Sequence, residues 1–206
     1  MRKGIIEIIS DDYFVTTGLL SLILENIPVL FSSPVMIIDI DRISNLSSLE
    51  GYIRRASAST VISGLSRNGI MSRLLSQLPS VSIDAPLAWL KQDLSHLREP
   101  LTRKSFWLAQ CQAVRTGQRL TPVQTTVLSG FGQGLDLHRI SRATGIPPKT
   151  CYSHVGAITT SLNLRNITEL RYFATRLLEG YREPASTAPT RWALRAHRLS
   201  PALPQE

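Results

Sequence analysis

The apolar positions change period several times along the chain. Gly4-Ile5-Ile6-Glu7-Ile8-Ile9 is a β-branched run and predicts a buried strand. Ser10-Asp11-Asp12 comes next as a turn and helix cap. Phe14, Leu19, Leu20, Leu22, Ile23 and Ile27 then space as one face of a helix, which Pro28 ends. Residues 35–40 predict a second buried strand, and Leu46, Leu49, Tyr52 and Ile53 the next helix. Residues 60–62 read as a third strand, 70–78 as a helix and 81–83 as a fourth strand. A helix over 86–97 closes this unit, with Pro86 in its first turn. Strands alternating with helices predict a parallel sheet with helices on both faces.

After residue 97 the pattern is helical. Arg98-Glu99-Pro100 breaks the chain, and Phe106, Trp107, Ala109 and Gln110 suggest a short helix before Gly117. This stretch, 98–119, reads as a linker that either packs on the helical head or hinges the two units. Thr121, Pro122 and Gln124 form a capping box with proline at the first helical position. Val127, Leu128 and Phe131 line that helix, and Gly130, Gly132 and Gly134 end it. Asp136 caps a second helix with Leu137, Ile140 and Ala143 inward, and Gly145 stops it. Pro147-Pro148 leads into a third helix with Thr150, Val155, Ile158 and Leu162 on its buried side. Cys151 reads as a further small inward residue. Asn163, Asn166 and Thr168 precede a fourth helix with Leu170, Phe173, Ala174, Leu177 and Leu178 inward. Two short helices about a glycine turn, the second with polar and basic tips, make a helix-turn-helix within 120–180. The four prolines and four arginines of 181–206 predict a disordered basic tail, with at most a transient helix over 190–199.

Charge divides the chain at the same place. Residues 1–100 carry nine Lys/Arg and ten Asp/Glu, whereas 101–206 carry fourteen and five. The net charge of +8 therefore comes from the helical half, which points to a polyanionic partner. Cys111 and Cys151 are the only cysteines, too few for a disulfide framework or a zinc cluster. His154 has no second ligand nearby in sequence, so neither a metal nor another cofactor is expected. No apolar run approaches the roughly 20 residues that span a bilayer, and no leader pattern is visible. These features imply a cytoplasmic protein without a membrane partner. No nucleophile–base pair or phosphate loop is present to suggest an enzyme.

The front alternation, residues 1–97, resembles the receiver domain of bacterial response regulators. The resemblance places Asp11 and Asp12 where receivers hold Mg²⁺, and Asp39 where they accept a phosphoryl group. Ser63 or Ser66 would stand for the switch hydroxyl. The chain also departs from that pattern. Asp39 lies only 27 positions after Asp12, so a strand and a helix are lost or vestigial. No lysine stands between Lys3 and Lys91, and Ile83 or Asp84 takes the place of the receiver's lysine. The aspartates are thus expected mainly as turn and cap residues, a relic of the phosphorylation cluster.

The head resembles the C-terminal domain of LuxR/FixJ-class transcription regulators over about 60 residues, on spacing and residue type together. Leu120, Thr121, Val127, Leu128, Gly134, Ile140, Ile146, Thr150, His154, Ile158 and Leu162 fall on the family pattern. Gln124 stands for its glutamate, Cys151-Tyr152 for Val-Lys and Ser161 for a lysine. The resemblance implies an α/β receiver-like unit followed by a four-helix all-α head whose third helix enters the major groove of double-stranded DNA. Lys149, Thr150, Tyr152, Ser153, His154 and Ala157 are the contacts expected from that helix, with Arg139, Arg142 and Arg165 on the backbone. Arg171 also flanks the element.

The expected function is a sequence-specific regulator that needs no phosphorylation. It would act as a homodimer or as a heterodimer with a related regulator, with control of a surface structure as a further implication. Two alternatives stand beside it: a regulator phosphorylated on Asp39, and an interaction module that modulates another regulator without touching DNA.

Overall fold

The computed structural model describes residues 5–26, 33–96, 103–178 and 191–195. Strands β1 (Ile5–Ile9), β2 (Val35–Asp39), β3 (Val61–Ser66) and β4 (Ser80–Ser82) form a parallel sheet in sequence order. Helices α1 (Tyr13–Asn26) and α4 (Leu87–His96) belong to one face of it. Leu19, Ile23 and Leu90 meet Ile6, Ile8, Val35, Ile37, Leu65 and Val81 there. Helices α2 (Leu46–Arg55) and α3 (Ile70–Leu74) cover the other face, against Ile9, Met36, Ile38 and Ile62. β2 is buried at all five positions, which explains the apolar run over 35–38 ahead of Asp39.

Several expectations change. Phe14 is 85% exposed rather than inward. The buried stripe of α1 is Thr16, Leu19 and Ile23, three and then four residues apart, and Phe14 falls off it. The helix expected over 70–78 stops at Leu74, and the chain continues as turns in which Leu75 and Leu78 are buried and Ser76 and Gln77 exposed. Ile27 and Pro28 lie outside the described residues.

The tail departs most. At Arg191–Arg195 it forms β5, antiparallel to β1 at the edge of the sheet, instead of disorder or a helix. Trp192 and Leu194 stand in register with Ile8 and Ile6. Their two-residue alternation suits a strand, and the free edge of β1 supplies a ladder of backbone partners. The rest of 181–206 lies outside the described residues.

The stretch read as a linker contains α5 (Lys104–Arg115), with Trp107 and Cys111 wholly buried. It packs on α2. Lys104 Nζ donates to the carbonyls of Arg54 and Ala56, a cation at a helix C-terminus. Arg115 donates to Glu50 Oε1 at 3.0 and 3.2 Å. Burial pushes the Cys111 thiol up to about 12, so it serves as packing and not as a nucleophile.

The head consists of α6 (Pro122–Gly132), α7 (Leu137–Thr144), α8 (Pro148–Ser161) and α9 (Ile167–Tyr172), the last continued by a π-type turn, Phe173–Leu177. Thr121 and Gln124 make both bonds of the capping box. Asp136 and Asn166 cap α7 and α9 through their side chains. Gly145 takes the left-handed conformation, φ 70°, that turns α7 toward α8. The head and α5 share one apolar cluster with the α2/α3 side of the sheet, so a continuous core joins head and front. Among the described residues no helix is long and apolar enough to cross a membrane.

Candidate nucleic-acid interface and acidic pocket

Two places gather the residues singled out from sequence. The first is α8. Cys151, Val155 and Ile158 are buried along one side, with Leu162 continuing the stripe after the helix. Lys149, Tyr152, Ser153, Gly156 and Thr160 recur at helical spacing on the opposite side, and all are exposed. Tyr152 is 56% exposed, unusual for a large ring on a packed head. Thr150, expected inward as a scaffold residue, is exposed instead, because the stripe begins at Cys151. His154 and Ala157 are half-buried at the margin of the exposed face. Ala143 of α7 is also exposed, and Ser141 takes its inward place, donating to the carbonyl of Ile146 at 2.6 Å. That bond fixes the turn between α7 and α8.

Arg139, Arg142 and Arg165 are exposed beside this face. Arg139 lies 3.7 Å from Asp136, a solvated pair of little energy. Arg171 stacks instead over the ring of Phe131, 5.6 Å from its centre. The ridge joins a long cation, a ring and short polar side chains, with further arginines around it. Such a surface can grip phosphates and admit close approach to base edges.

The second place is at the carboxyl ends of β1, β2 and β3. Asp39 is fully buried, and its Oδ2 accepts from Ser10 Oγ at 3.0 Å and from Arg67 Nη2 at 3.1 Å. The same Arg67 nitrogen reaches Asp12 Oδ2 at 3.1 Å. Asp12 also caps α1 by accepting from the Val15 amide at 3.1 Å, chiefly for which its pKa falls below the usual value. Asp11 is exposed, 3.7 Å from Arg42. Burial pushes the Asp39 carboxyl up, against the donors Arg67 and Ser10. Asp39 Oδ1 has no hydrogen-bond partner among the described residues.

Receivers keep a divalent cation in this place. The residues here do not fit one, because the Arg67 guanidinium already bridges the two carboxylates the ion would need. Among the described residues, no group of three or more His, Cys, Asp or Glu is arranged to hold a metal. Ser63 is buried within β3, and Ser66 Oγ accepts from the Asn68 amide. Arg67 is the residue that sequence reasoning missed. Its one signal was position, directly after a strand whose neighbour β2 ends in Asp39.

No protein-family model matches the chain, and no curated protein matches it in sequence. Solved structures do match in fold. RcsB from Salmonella enterica serovar Typhimurium, bound to promoter rprA with the phosphomimetic BeF3−, is 19% identical. The match covers 84% of this chain and 98% of that one, with a TM-score of 0.58. The two-component response regulator RcsB in complex with DNA is 21% identical over 85% of this chain and 99% of that one, with a TM-score of 0.57. Two RcsB dimers on two parallel DNAs give 20%, 85%, 99% and 0.58. The chain therefore has the architecture of a receiver-like α/β unit followed by a helix-turn-helix head.

Proposed function

We propose that the protein is a sequence-specific, DNA-binding transcription regulator that works without phosphorylation, as a dimer or with a related regulator. The observation that carries the reading is the exposed face of α8, where Lys149, Tyr152, Ser153 and Gly156 stand clear of the core. Lys149, in the first turn of that helix, serves a phosphate. Tyr152 and Ser153 face base edges, and Arg139, Arg142 and Arg165 hold the backbone on either side. Thr150, His154 and Ala157 border the contact. The fold shared with DNA-bound RcsB supports this orientation. Helix-turn-helix units read paired half-sites as dimers, which favours a second copy or a relative beside this one.

Independence from phosphorylation rests on Arg67. Its charge lies against Asp39 and Asp12, where a phosphoryl group and its metal would have to enter. A phosphorylated aspartate would have to displace that guanidinium without the neutralising lysine of a receiver.

Two measurements test the reading. The purified chain is incubated with Mg²⁺ and a small phosphodonor; the expected result is no phosphoryl group on Asp39, and stoichiometric labelling lost in Asp39→Ala would restore the phosphorylated alternative. A genome-wide map of bound DNA should return one recurring motif and show whether its genes build a surface structure. A flat map would leave the interaction module as the better reading.

A further inference from the structure

The segment from Arg67 to Arg73 has the acidic pocket at one end and the head at the other. Arg67 sits between Asp12 and Asp39. Asp41 then ties the loop down, its carboxylate accepting from the amides of Arg67 at 2.9 Å, Gly69 at 3.0 Å and Ser72 at 2.9 Å. A Cβ on Gly69 would lie 2.4 Å from Asp41 Cγ, so the carboxylate approaches only because this residue is glycine. At the far end Arg73 is 9% exposed, and each guanidinium nitrogen has a use. Nη1 donates to the carbonyl of Asn68 at 2.6 Å, Nε to the carbonyl of Asn163 at 3.2 Å and Nη2 to Glu169 Oε2 at 2.5 Å. Asn163 Nδ2 returns a bond to the carbonyl of Arg73 at 3.3 Å.

Asn163 and Glu169 define the exit of α8. Asn163 has φ 55°, the left-handed residue just past the helix. Glu169 Oε2 also accepts from the Arg165 amide at 2.8 Å, which closes the turn into α9. One carboxylate therefore sets both the backbone of Arg165 and the grip of Arg73.

We propose that Arg73 is a positioning residue for DNA reading. From the front unit it holds the exit of α8, so that the Lys149–Tyr152 face and Arg165 keep one orientation relative to the sheet. The inference rests on the DNA-binding reading and adds the front unit's part in it. Arg73 touches no DNA itself. It acts through Asn163 and Glu169, and the front unit is a fixed support for the head.

The test uses the full chain with Arg73→Ala, Arg73→Lys and Glu169→Gln. Affinity for a DNA site selected by the wild type is measured across a salt series, and amide exchange over residues 163–170 is followed without DNA. Arg73→Ala should lose affinity about tenfold, a usual size for coupling between sites. Its salt slope should stay unchanged, because no phosphate contact is removed. Exchange over 163–170 should quicken in Arg73→Ala and Glu169→Gln. Arg73→Lys, which keeps the charge but not the three-way fork, should restore little. Wild-type affinity and exchange in Arg73→Ala would overturn the inference. So would a salt slope lowered by about one, the sign of a direct phosphate contact. If Arg73→Ala does not fold, unchanged exchange in Glu169→Gln has the same force. Wild type that binds no DNA sinks the DNA-binding reading and this inference with it, whereas bound wild type with an indifferent Arg73→Ala sinks the inference alone.

Discussion

Single residues divide by whether their role is local or distant. Capping residues were legible because their chemistry acts within four positions: Thr121, Asp136 and Asn166 each accept the amide expected of them. Arg67 and Arg73 were not legible. Their partners lie 28 and 96 positions away, and no periodicity carries that pairing. Phe14, Ala143 and Thr150 were placed inward as residues of apolar or scaffold type near a stripe, yet each falls off its helix's buried line. The exposed face of α8 yields a direct prediction. Lys149→Ala should weaken binding to all DNA sequences alike and lower the salt slope by about one. Tyr152→Ala should instead cost about 1–3 kcal/mol at the selected site and relax its sequence preference. Titration against specific and scrambled duplexes separates the two; equal losses on both duplexes for Tyr152→Ala would remove it from base reading.

At the scale of elements, strand and helix order was readable because β-branched runs and glycine or proline stops are local signals. The length of α5 was not, since only its contact with α2 makes Trp107 and Cys111 one buried face. Packing inside the head is close. A Cβ added at Gly130 would sit 2.6 Å from Ile140 Cγ1, at the crossing of α6 and α7. Gly130→Ala should therefore destabilise the head by about 1–3 kcal/mol, as overpacking does, despite alanine's better helix propensity. Thermal or urea unfolding checks this, and a stabilised variant would contradict it. The turn between α8 and α9 has its own pH dependence. Burial acts to raise the Glu169 pKa, but the Arg165 amide and the Arg73 guanidinium outweigh it, so the folded value lies below the ordinary 4.5. That stabilisation is fully present above the unfolded pKa and is lost as pH falls through the depressed folded one. Amide protection over 163–170, corrected for the slower intrinsic exchange in acid, should fall below pH 4.5 in the wild type. Glu169→Gln should lack that step, and an identical acid step in both proteins would assign it elsewhere.

For the whole molecule, the front unit serves as a built support with its charge site closed by its own arginine. Among the described residues, three connections join it to the head: the shared apolar core, α5 on α2, and Arg73 at the α8 exit. β5 adds a fourth by bringing the chain from beyond α9 back to β1. This closure was hidden in the sequence by composition, because prolines and arginines around 191–195 look like a solvated tail. Ending the chain after Leu178 should bare the edge of β1, lower the melting temperature and promote association through that edge. Melting and light scattering together check this, and a truncated chain as stable and as monodisperse as the full one would deny β5 a structural part.

A chain that reads DNA with its pocket already closed should bind without phosphorylation. The most direct measurement is the affinity of the purified, unphosphorylated protein for its selected duplex, with and without a phosphodonor, across a salt series. Tight binding that falls steeply with salt, exceeds binding to scrambled DNA and ignores the phosphodonor is the predicted result. Binding that appears only with the phosphodonor, or that cannot tell selected from scrambled DNA, would contradict it.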